Sequence, residues 1–192
     1  MIHDKISPLN ITDKLGAVLI QLPPSFTVKE FKNTEEFLDR LPAGYDYALE
    51  FRHPSWDTKG PWDLLKHYNI AAVMIDSPEP DKLQFLSRPI TTANHSFIRW
   101  HGRNVKPRYN YLYSKKELKL WVDKIYKISS ETAVVRGYFN NHYGARAVVN
   151  ALEFKQILGT SLSEKEKAVV ENARNVFFQA LKQSTLDNSL RQ

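Results

Sequence analysis

Polar residues end each of five apolar segments of this 192-residue chain, and their types are those that exchange protons and bind anions. These residues are Gln21, Glu50 with Arg52, Asp76, Arg99 with His101, and Asn140 with Asn141. Carboxylates and imidazoles act as general acids and bases, and guanidinium groups bind carboxylates and phosphates. The sequence therefore predicts a polar site wherever the fold brings the ends of these segments together.

The residue types suggest a division of labour at such a site. Glu50, Asp76 and His101 are the predicted general acids, bases or catalytic groups. Arg52 and Arg99 are the predicted anion contacts. The remaining predicted substrate contacts are His53, Trp56, Asn140 and Asn141, where the amides would form hydrogen bonds and the indole would stack on a ring.

A structural role is the alternative for several of these residues. Glu50 and Arg52 could form an ion pair that closes a strand, and Asp76 could cap the turn that follows it. Glu50, Asp76 and His101, together with His53, could also hold a divalent metal ion, although the HExxH spacing of many zinc sites is absent. The chain has no cysteine, so any metal would need oxygen or nitrogen ligands, and the cofactor stays undetermined.

A second candidate site is the stretch 99–116, in which basic residues alternate with aromatic ones. The predicted nucleic-acid contacts in it are Arg103, Lys106, Arg108, Tyr109 and Tyr111. Cations that follow phosphates and rings that stack on bases are what a single-strand binder needs. The alternative is a solvated loop whose tyrosines pack against the fold. The net charge of +6 is compatible with an anionic small molecule or a nucleic acid as partner.

The apolar segments that must position these residues have the length and composition of buried parallel strands. They are 15–22, 45–51, 70–76, 96–101 and 132–140. Helical spacing of apolar residues is found at 28–41, 114–128, 145–158 and 161–183, and Ser114 with Glu117 predicts a capping box. Residues 77–95 are predicted to be a long loop with a short helix at most. Alternating strands and helices favour an α/β fold with a parallel sheet, in which sites lie at the carboxyl ends of the strands.

The composition is that of one globular domain, with 42% hydrophobic and 25% charged residues. No segment reaches the roughly 18 apolar residues of a membrane span, and the first ten residues lack the apolar core of a signal peptide. We therefore expect a soluble, cytoplasmic protein. The expected organisation is a β/α domain over residues 1–160, with a C-terminal helix and tail over 161–192 packed on the same domain.

Five motifs, in this order, resemble the YecE-like family, domain of unknown function 72. They are LIQLPPSF (19–26), EFRHPSW (50–56), IDSP (75–78), FIRWHGRN (97–104) and YFNNHYGARAVVNA (138–151). The resemblance runs from about Leu15 to Ala151. It implies a TIM-type β/α barrel and no established reaction.

The resemblance also implies that part of a barrel is missing. Family members usually carry about three strand–helix units before the QLPP strand, and this chain starts almost at that strand. Five strands cannot close an eight-stranded barrel, so we expect a partial TIM-type barrel with open edges at 15–22 and 132–140. A second copy of the chain, or a separately encoded N-terminal piece, is expected to cover these edges.

The favoured function at this stage is a hydrolase-like or metal-assisted enzyme. It would act on a phosphate-containing or sugar-like substrate at the carboxyl ends of the strands. One alternative is a nucleic-acid-binding module that uses residues 99–116, and another is an inactive family member with an interaction role.

Overall fold

Strands and helices alternate along the computed structural model, which describes residues 2–76, 83–107 and 109–189. The strands are β1 (Val18–Gln21), β2 (Tyr47–Glu50), β3 (Ala71–Asp76), β4 (His95–Trp100) and β5 (Val134–Phe139). The helices are α1 (Ile2–Ile11), α2 (Phe31–Asp39), α3 (Lys59–His67), α4 (Lys115–Lys119), α5 (Val122–Ser129), α6 (Arg146–Ile157) and α7 (Glu164–Ser189).

The five strands form one sheet in the order in which they occur along the chain. β1 and β2 are parallel, with Gln21 opposite Glu50, and β2 and β3 are parallel, with Ala48 opposite Ala71. The predicted α/β fold, with five parallel strands that alternate with helices, is confirmed. In this sheet β1 and β5 are the two edge strands.

The chain folds as two compact units. The first comprises the described residues of 1–99 and 123–138, and the second comprises those of 100–122 and 139–192. The first unit holds nearly all of the sheet, and the second holds α4, α6 and α7. The division into residues 1–160 and 161–192 stays a prediction.

The core of the first unit explains why its strands form. All six positions of β3 are buried, as its continuous apolar run predicts for a central parallel strand. Leu38 of α2 and Leu65 of α3 join this core and are at most 2% exposed. The short apolar strands are therefore held by helices that cover the sheet, and their carboxyl ends are fixed in place.

The core of the second unit is aromatic. Trp100 is 1% exposed, and its ring stacks on Phe139 with centroids 4.6 Å apart. The edges of Trp121 and Phe154 complete the cluster. The predicted capping box at the start of α4 is confirmed, since Ser114 and Glu117 each accept a hydrogen bond from the other's backbone N–H.

The helices differ from the prediction in three places: the predicted helix 114–128 is divided, and helices α1 and α3 were not predicted. Residues 114–128 form two helices, because the N–H groups of Leu120 and Trp121 bond to carbonyls three residues back and so end α4. Helix α1 was not predicted, and it carries Pro8 within it. The predicted loop at 77–95 contains the 3₁₀ turn Gln84–Ser87, in keeping with the prediction of a short helix at most; its last residue, His95, already belongs to β4, and 77–82 lie outside the described residues. None of the described helices combines the length and hydropathy needed to cross a bilayer.

Candidate functional site

Glu50 ends β2 and has a fully buried side chain. A buried carboxylate is costly unless charged or hydrogen-bonding groups compensate for the lost water. Its Oε2 accepts a hydrogen bond from Nη1 of Arg99 at 2.5 Å. The same Nη1 donates to Oε1 of Gln21 at 2.9 Å. Two of the predicted site residues, Glu50 and Arg99, are thus in direct contact.

The path of the Arg99 side chain shows how the sheet is shaped here. Arg99 lies on β4, and β3 separates that strand from β2 and β1 in the sheet. Its guanidinium nevertheless reaches Glu50 on β2 and Gln21 on β1. The sheet must therefore curve, with these three side chains on its concave face. Such curvature brings strand ends together, as the sequence pattern predicts.

Arg52 approaches the same carboxylate from the loop after β2. Its Nη1 lies 3.7 Å from Oε1 of Glu50, which is an ion-pair distance but too long for a hydrogen bond. Oε1 of Glu50 is buried and has no hydrogen-bond partner among the described residues. We call Gln21, Glu50, Arg52 and Arg99 the carboxyl-end cluster. Counted over these four side chains, it holds two guanidinium groups against one carboxylate, an excess of one positive charge.

The loop that carries Arg52 is firmly anchored. Nδ1 of His53 accepts a hydrogen bond from the backbone N–H of Ser55 and caps the turn Pro54–Trp56. The Trp56 side chain is fully buried, its ring stacks with Phe51 and Phe26, and its Nε1 donates to the Phe26 carbonyl. As the chain is folded, Trp56 is therefore a core residue whose ring faces are covered, and His53 shapes the loop. The predicted substrate contacts of both residues stay predictions.

Asp76 is the last residue of β3 and is 8% exposed. It lies at the same carboxyl end of the sheet as Glu50, which ends β2. The turn that it was predicted to cap begins at residue 77, outside the described residues.

The other predicted site residues lie in the second unit. The amide nitrogen of Asn140 lies 3.2 Å from Nδ1 of His101, and both side chains are half-buried. Asn141 is fully buried and donates to the carbonyl of Tyr111 and to Oδ1 of Asn150. Asn140 thus contacts a predicted catalytic histidine, whereas Asn141 is used to hold the backbone of a loop.

The rings of Tyr109 and His142 lie near the pair formed by His101 and Asn140. The ring of Tyr109 lies 5.9 Å from that of His101 and 5.6 Å from that of His142, measured between centroids. His142 also contacts the Asn140 carbonyl through Nδ1, at 3.0 Å. In the sequence, His142 stands out only because it directly follows Asn140 and Asn141, since a single exposed histidine in a loop does not by itself indicate a site.

The basic and aromatic stretch is mostly engaged in contacts of its own. Nη1 of Arg103 lies 3.1 Å from Oε1 of Glu117, and the Tyr111 hydroxyl donates to the same oxygen. Burial raises the pKa of Glu117, but hydrogen bonds from Tyr111 and Ser114, together with Arg103, hold it below its ordinary value. Gly102 has φ +84°, and a Cβ there would lie 2.6 Å from Cβ of Tyr111, so only glycine fits.

The remaining members of this stretch have mixed surroundings. Tyr113 is 1% exposed, and its hydroxyl accepts the N–H of Gly102. Tyr109 is half-buried and Lys106 is exposed. Arg108 lies outside the described residues. The packed-loop interpretation therefore accounts for Tyr111 and Tyr113, and the nucleic-acid contacts stay a prediction.

A second charged group lies at the opposite, amino end of the same strands, and sequence reasoning missed it. Asp46 binds Arg136 through Oδ2 and Nη2 at 2.9 Å, and its Oδ1 lies 3.9 Å from Nε2 of His95. The stacked rings of Phe97 and Tyr138 come next along β4 and β5, with centroids 4.6 Å apart. We call Asp46, His95 and Arg136 the amino-end cluster. The alternation of His95, Phe97 and Arg99 along β4 is the sequence signal that could have revealed it.

The amino-end cluster holds its histidine in the neutral form. His95 is 2% exposed, and neither ring nitrogen has a hydrogen-bond partner among the described residues. Burial lowers the pKa of His95 and Arg136 lowers it further, while Asp46 and, to a smaller degree, the Tyr47 backbone oppose this lowering. The cluster therefore carries one positive and one negative charge near neutral pH.

A metal ion would need at least three oxygen or nitrogen ligands close together. No three His, Asp or Glu side chains are grouped to hold a metal ion within the part of the chain that the structure describes. The described residues therefore do not support a metal site made of Glu50, Asp76, His101 and His53.

Comparison with known proteins gives a consistent picture. Residues 1–174 match the model of a family described as "Protein of unknown function DUF72". The UPF0759 protein YunF of Bacillus subtilis (strain 168) is 26% identical over 182 residues, which cover 82% of this chain and 63% of that protein. The UPF0759 protein YecE of Escherichia coli (strain K12) is 38% identical over 56 residues, which cover 29% of this chain and 20% of that protein.

Solved structures agree with the sequence relatives. A DUF72 family protein from Thermotoga maritima MSB8 has a TM-score of 0.74 and 36% identity, covering 82% of this chain and 63% of that one. A DUF72 family protein from Enterococcus faecalis V583 has a TM-score of 0.71 and 26% identity, covering 83% and 67%. These neighbours have a TIM-barrel-like fold. The chain spans about 63% of the length of the Bacillus and Thermotoga proteins that it matches.

Proposed function

This chain belongs to the DUF72 family, and from its own residues we propose that it is an anion-binding, hydrolase-like enzyme. Its site is the carboxyl-end cluster. Its substrate carries a phosphate or a similar anionic group.

One observation carries this proposal: two guanidinium groups surround one fully buried carboxylate. The side chains of Arg52 and Arg99 are 21% and 18% exposed, so both retain a path to solvent. An anion that reaches them adds a second negative charge to a group that has an excess of one positive charge. Charge-assisted hydrogen bonds from arginine are among the strongest available to a protein, and their fork matches a phosphate.

Buried Glu50 acts first as the counter-charge that fixes Arg99. A guanidinium that is already oriented loses less side-chain entropy when a ligand binds, so Glu50 and Gln21 prepare the anion site. The candidate acids and bases of the hydrolytic step are Glu50 and Asp76, and the predicted catalytic role of His101, which lies in the second unit, stays a prediction. The charge excess and the burial of the cluster support the binding half of the proposal more directly than the hydrolytic half.

Titration of inorganic phosphate into the full chain, followed by isothermal calorimetry, tests the binding step. Arg52→Gln removes one charged donor and should weaken phosphate binding by about tenfold or more, since a hydrogen bond to a charged group is worth roughly 1.5–3 kcal/mol. Arg40→Gln is the matched control, because Arg40 is exposed at the end of α2 and the change in net charge is the same. Equal affinities of the two variants would refute the site.

The catalytic half needs a separate screen. A panel of phosphomonoesters and phosphodiesters should include a substrate that the native chain hydrolyses and that Glu50→Gln does not. Far-ultraviolet circular dichroism checks that the variant is folded. Activity that survives in Glu50→Gln would separate hydrolysis from this cluster.

The nucleic-acid alternative has weaker support. Tyr113 is buried, while Tyr111 and Arg103 both bind Glu117, so these groups would have to leave internal partners in order to stack on bases or follow phosphates. A cover for the sheet edges β1 and β5, from a second copy or a separate polypeptide, also remains a proposal. Native mass spectrometry showing only a monomer, with no partner that co-purifies from the source cells, would count against it.

A further inference from the structure

The two arginines of the carboxyl-end cluster are held differently. Arg99 donates to Glu50 at 2.5 Å and to Gln21 at 2.9 Å, so its position is fixed from two strands. Arg52 lies 3.7 Å from Glu50 and forms no hydrogen bond with any residue that the structure describes. Arg52 can therefore move away at the cost of one ion pair, whereas Arg99 cannot move without breaking two hydrogen bonds.

The carboxylate oxygen beside Arg52 is the most unusual polar atom of the cluster. Oε1 of Glu50 is buried and lacks a hydrogen-bond partner among the described residues, while Oε2 is fully engaged with Arg99. An acceptor without a donor in a buried position is unfavourable, so a donor that reaches it gains binding free energy. Arg52 is the group that approaches this atom from the partly exposed side.

These observations together describe a ligand with two functional groups. An anion alone would engage the arginines but leave Oε1 of Glu50 without a donor, and it would bring a second negative charge close to that oxygen. A ligand that also carries a hydroxyl group could donate to Oε1 at the place that Arg52 leaves. The hydroxyl must lie within a few ångströms of the anion, because Arg52 and Oε1 are 3.7 Å apart.

From this geometry we infer that the site takes a phosphorylated polyol, with a hydroxyl group on the carbon next to the one that bears the phosphate. The phosphate pairs with Arg52 and draws it outward, the hydroxyl donates to Oε1 of Glu50, and Arg99 stays in place as the fixed cation. This inference rests on the proposed anion-binding function and names the substrate class for the same site. Arg52 is the residue that contacts the anion, and Glu50 is the residue that selects the hydroxyl.

Calorimetry with four probes on the full chain tests the inference. The probes are glycerol 3-phosphate, propyl phosphate, glycerol and inorganic phosphate, all at one ionic strength. Glycerol 3-phosphate should bind about tenfold more tightly than propyl phosphate, because only glycerol 3-phosphate can donate a hydrogen bond to Oε1. One hydrogen bond to a charged group changes the affinity by about a factor of ten. Glycerol, which lacks the anion, should show no measurable binding.

Variants separate the two contacts. Arg52→Gln should weaken both phosphate esters by similar factors, and Arg40→Gln should change neither. Glu50→Gln should reduce the preference for glycerol 3-phosphate over propyl phosphate to a few-fold or less, while propyl phosphate still binds. If Glu50→Gln does not fold by circular dichroism, the comparison of ligands on the native chain decides the question alone.

Each outcome decides a different claim. Equal affinity for glycerol 3-phosphate and propyl phosphate overturns the substrate class but leaves the anion site standing. Binding of glycerol as tightly as of glycerol 3-phosphate overturns the class as well, because the anion would then contribute nothing. Failure of all three phosphate compounds to bind removes the proposed function together with the inference.

Discussion

The two charged clusters of the sheet each pair a carboxylate with arginine, and yet the two carboxylates are solvated differently. At the carboxyl end, Glu50 is fully buried and two arginines attend to it. At the amino end, Asp46 is 37% exposed and is shared by Arg136 and a neutral histidine. The carboxyl-end cluster thus places its carboxylate away from water and retains an excess of positive charge. The amino-end cluster keeps its carboxylate partly in water, and its positive and negative charges are equal in number.

This difference is the one expected between the binding site that we propose and a structural ion pair. A carboxylate in water is already solvated, so Arg136 gains little by binding it. A carboxylate removed from water is stabilised by its arginines, and the burial of these charges costs desolvation free energy. Costs of this kind are expected where a site must be organised before its ligand arrives.

The largest expected effect on stability comes from replacing one arginine by methionine in each cluster. Arg99→Met leaves the buried charge of Glu50 without its closest partner and should lower the free energy of unfolding by about 3–5 kcal/mol. Arg136→Met leaves Asp46 partly in water and should cost about 1 kcal/mol or less. Urea unfolding followed by circular dichroism measures both values.

The double variant Glu50→Gln with Arg99→Met provides the control for that comparison. It removes the stranded charge, so it should recover much of the stability lost in Arg99→Met alone. Similar losses for Arg99→Met and Arg136→Met would mean that the two clusters do not differ as their burial indicates.

An intermediate effect is expected from pH between 7.5 and 5, through the amino-end cluster. Burial lowers the pKa of His95 below its ordinary 6.5, so the unfolded chain takes up a proton at a pH at which the folded chain does not. Stability should therefore fall as the pH drops below about 6.5, and this fall should end below the folded pKa. Asp46 and Arg136 are the charged groups that face His95.

Urea unfolding at several pH values between 7.5 and 5 measures this dependence. His95→Gln should remove most of it, while His67→Gln at the exposed end of α3 should leave it in place. An unchanged pH dependence in His95→Gln would show that the burial of this histidine has no energetic consequence.

The sequence predicted the carboxyl-end cluster better than the amino-end cluster, for a physical reason. Polar residues at the ends of apolar runs stand out, and parallel strands bring their carboxyl ends together, so Glu50 and Arg99 were found. The contact between β4 and β1 required the curvature of the sheet, which no local pattern encodes. Asp46 precedes its strand and Arg136 lies within one, so neither marks the end of an apolar run.

Tertiary structure also decides features that a local pattern leaves open. Trp56 stands in a loop motif beside charged residues, which suggested a ligand contact, and in the structure its ring packs between Phe26 and Phe51. The break between α4 and α5 is invisible in the apolar spacing, because both helices keep one phase through Leu118 and Ile125. The capping box at Ser114 was predictable because its contacts are local.

The smallest expected effect tests whether charge excess, rather than the number of hydrogen bonds, makes the carboxyl-end cluster an anion site. Gln21→Glu keeps an acceptor for Arg99 but reduces the excess from one positive charge to none, as in the amino-end cluster. Because Gln21 is exposed, stability should change by about 1 kcal/mol or less, whereas phosphate affinity should fall a few-fold.

Gln84→Glu is the matched control, since Gln84 is exposed in the turn after β3 and the substitution adds the same charge. Calorimetry with inorganic phosphate compares the two variants at one ionic strength. Equal affinities would mean that the excess charge at the carboxyl ends is not what attracts the anion, and that the two clusters differ in burial alone. A selective loss in Gln21→Glu would make charge balance the property that distinguishes the binding end of the sheet from the structural end.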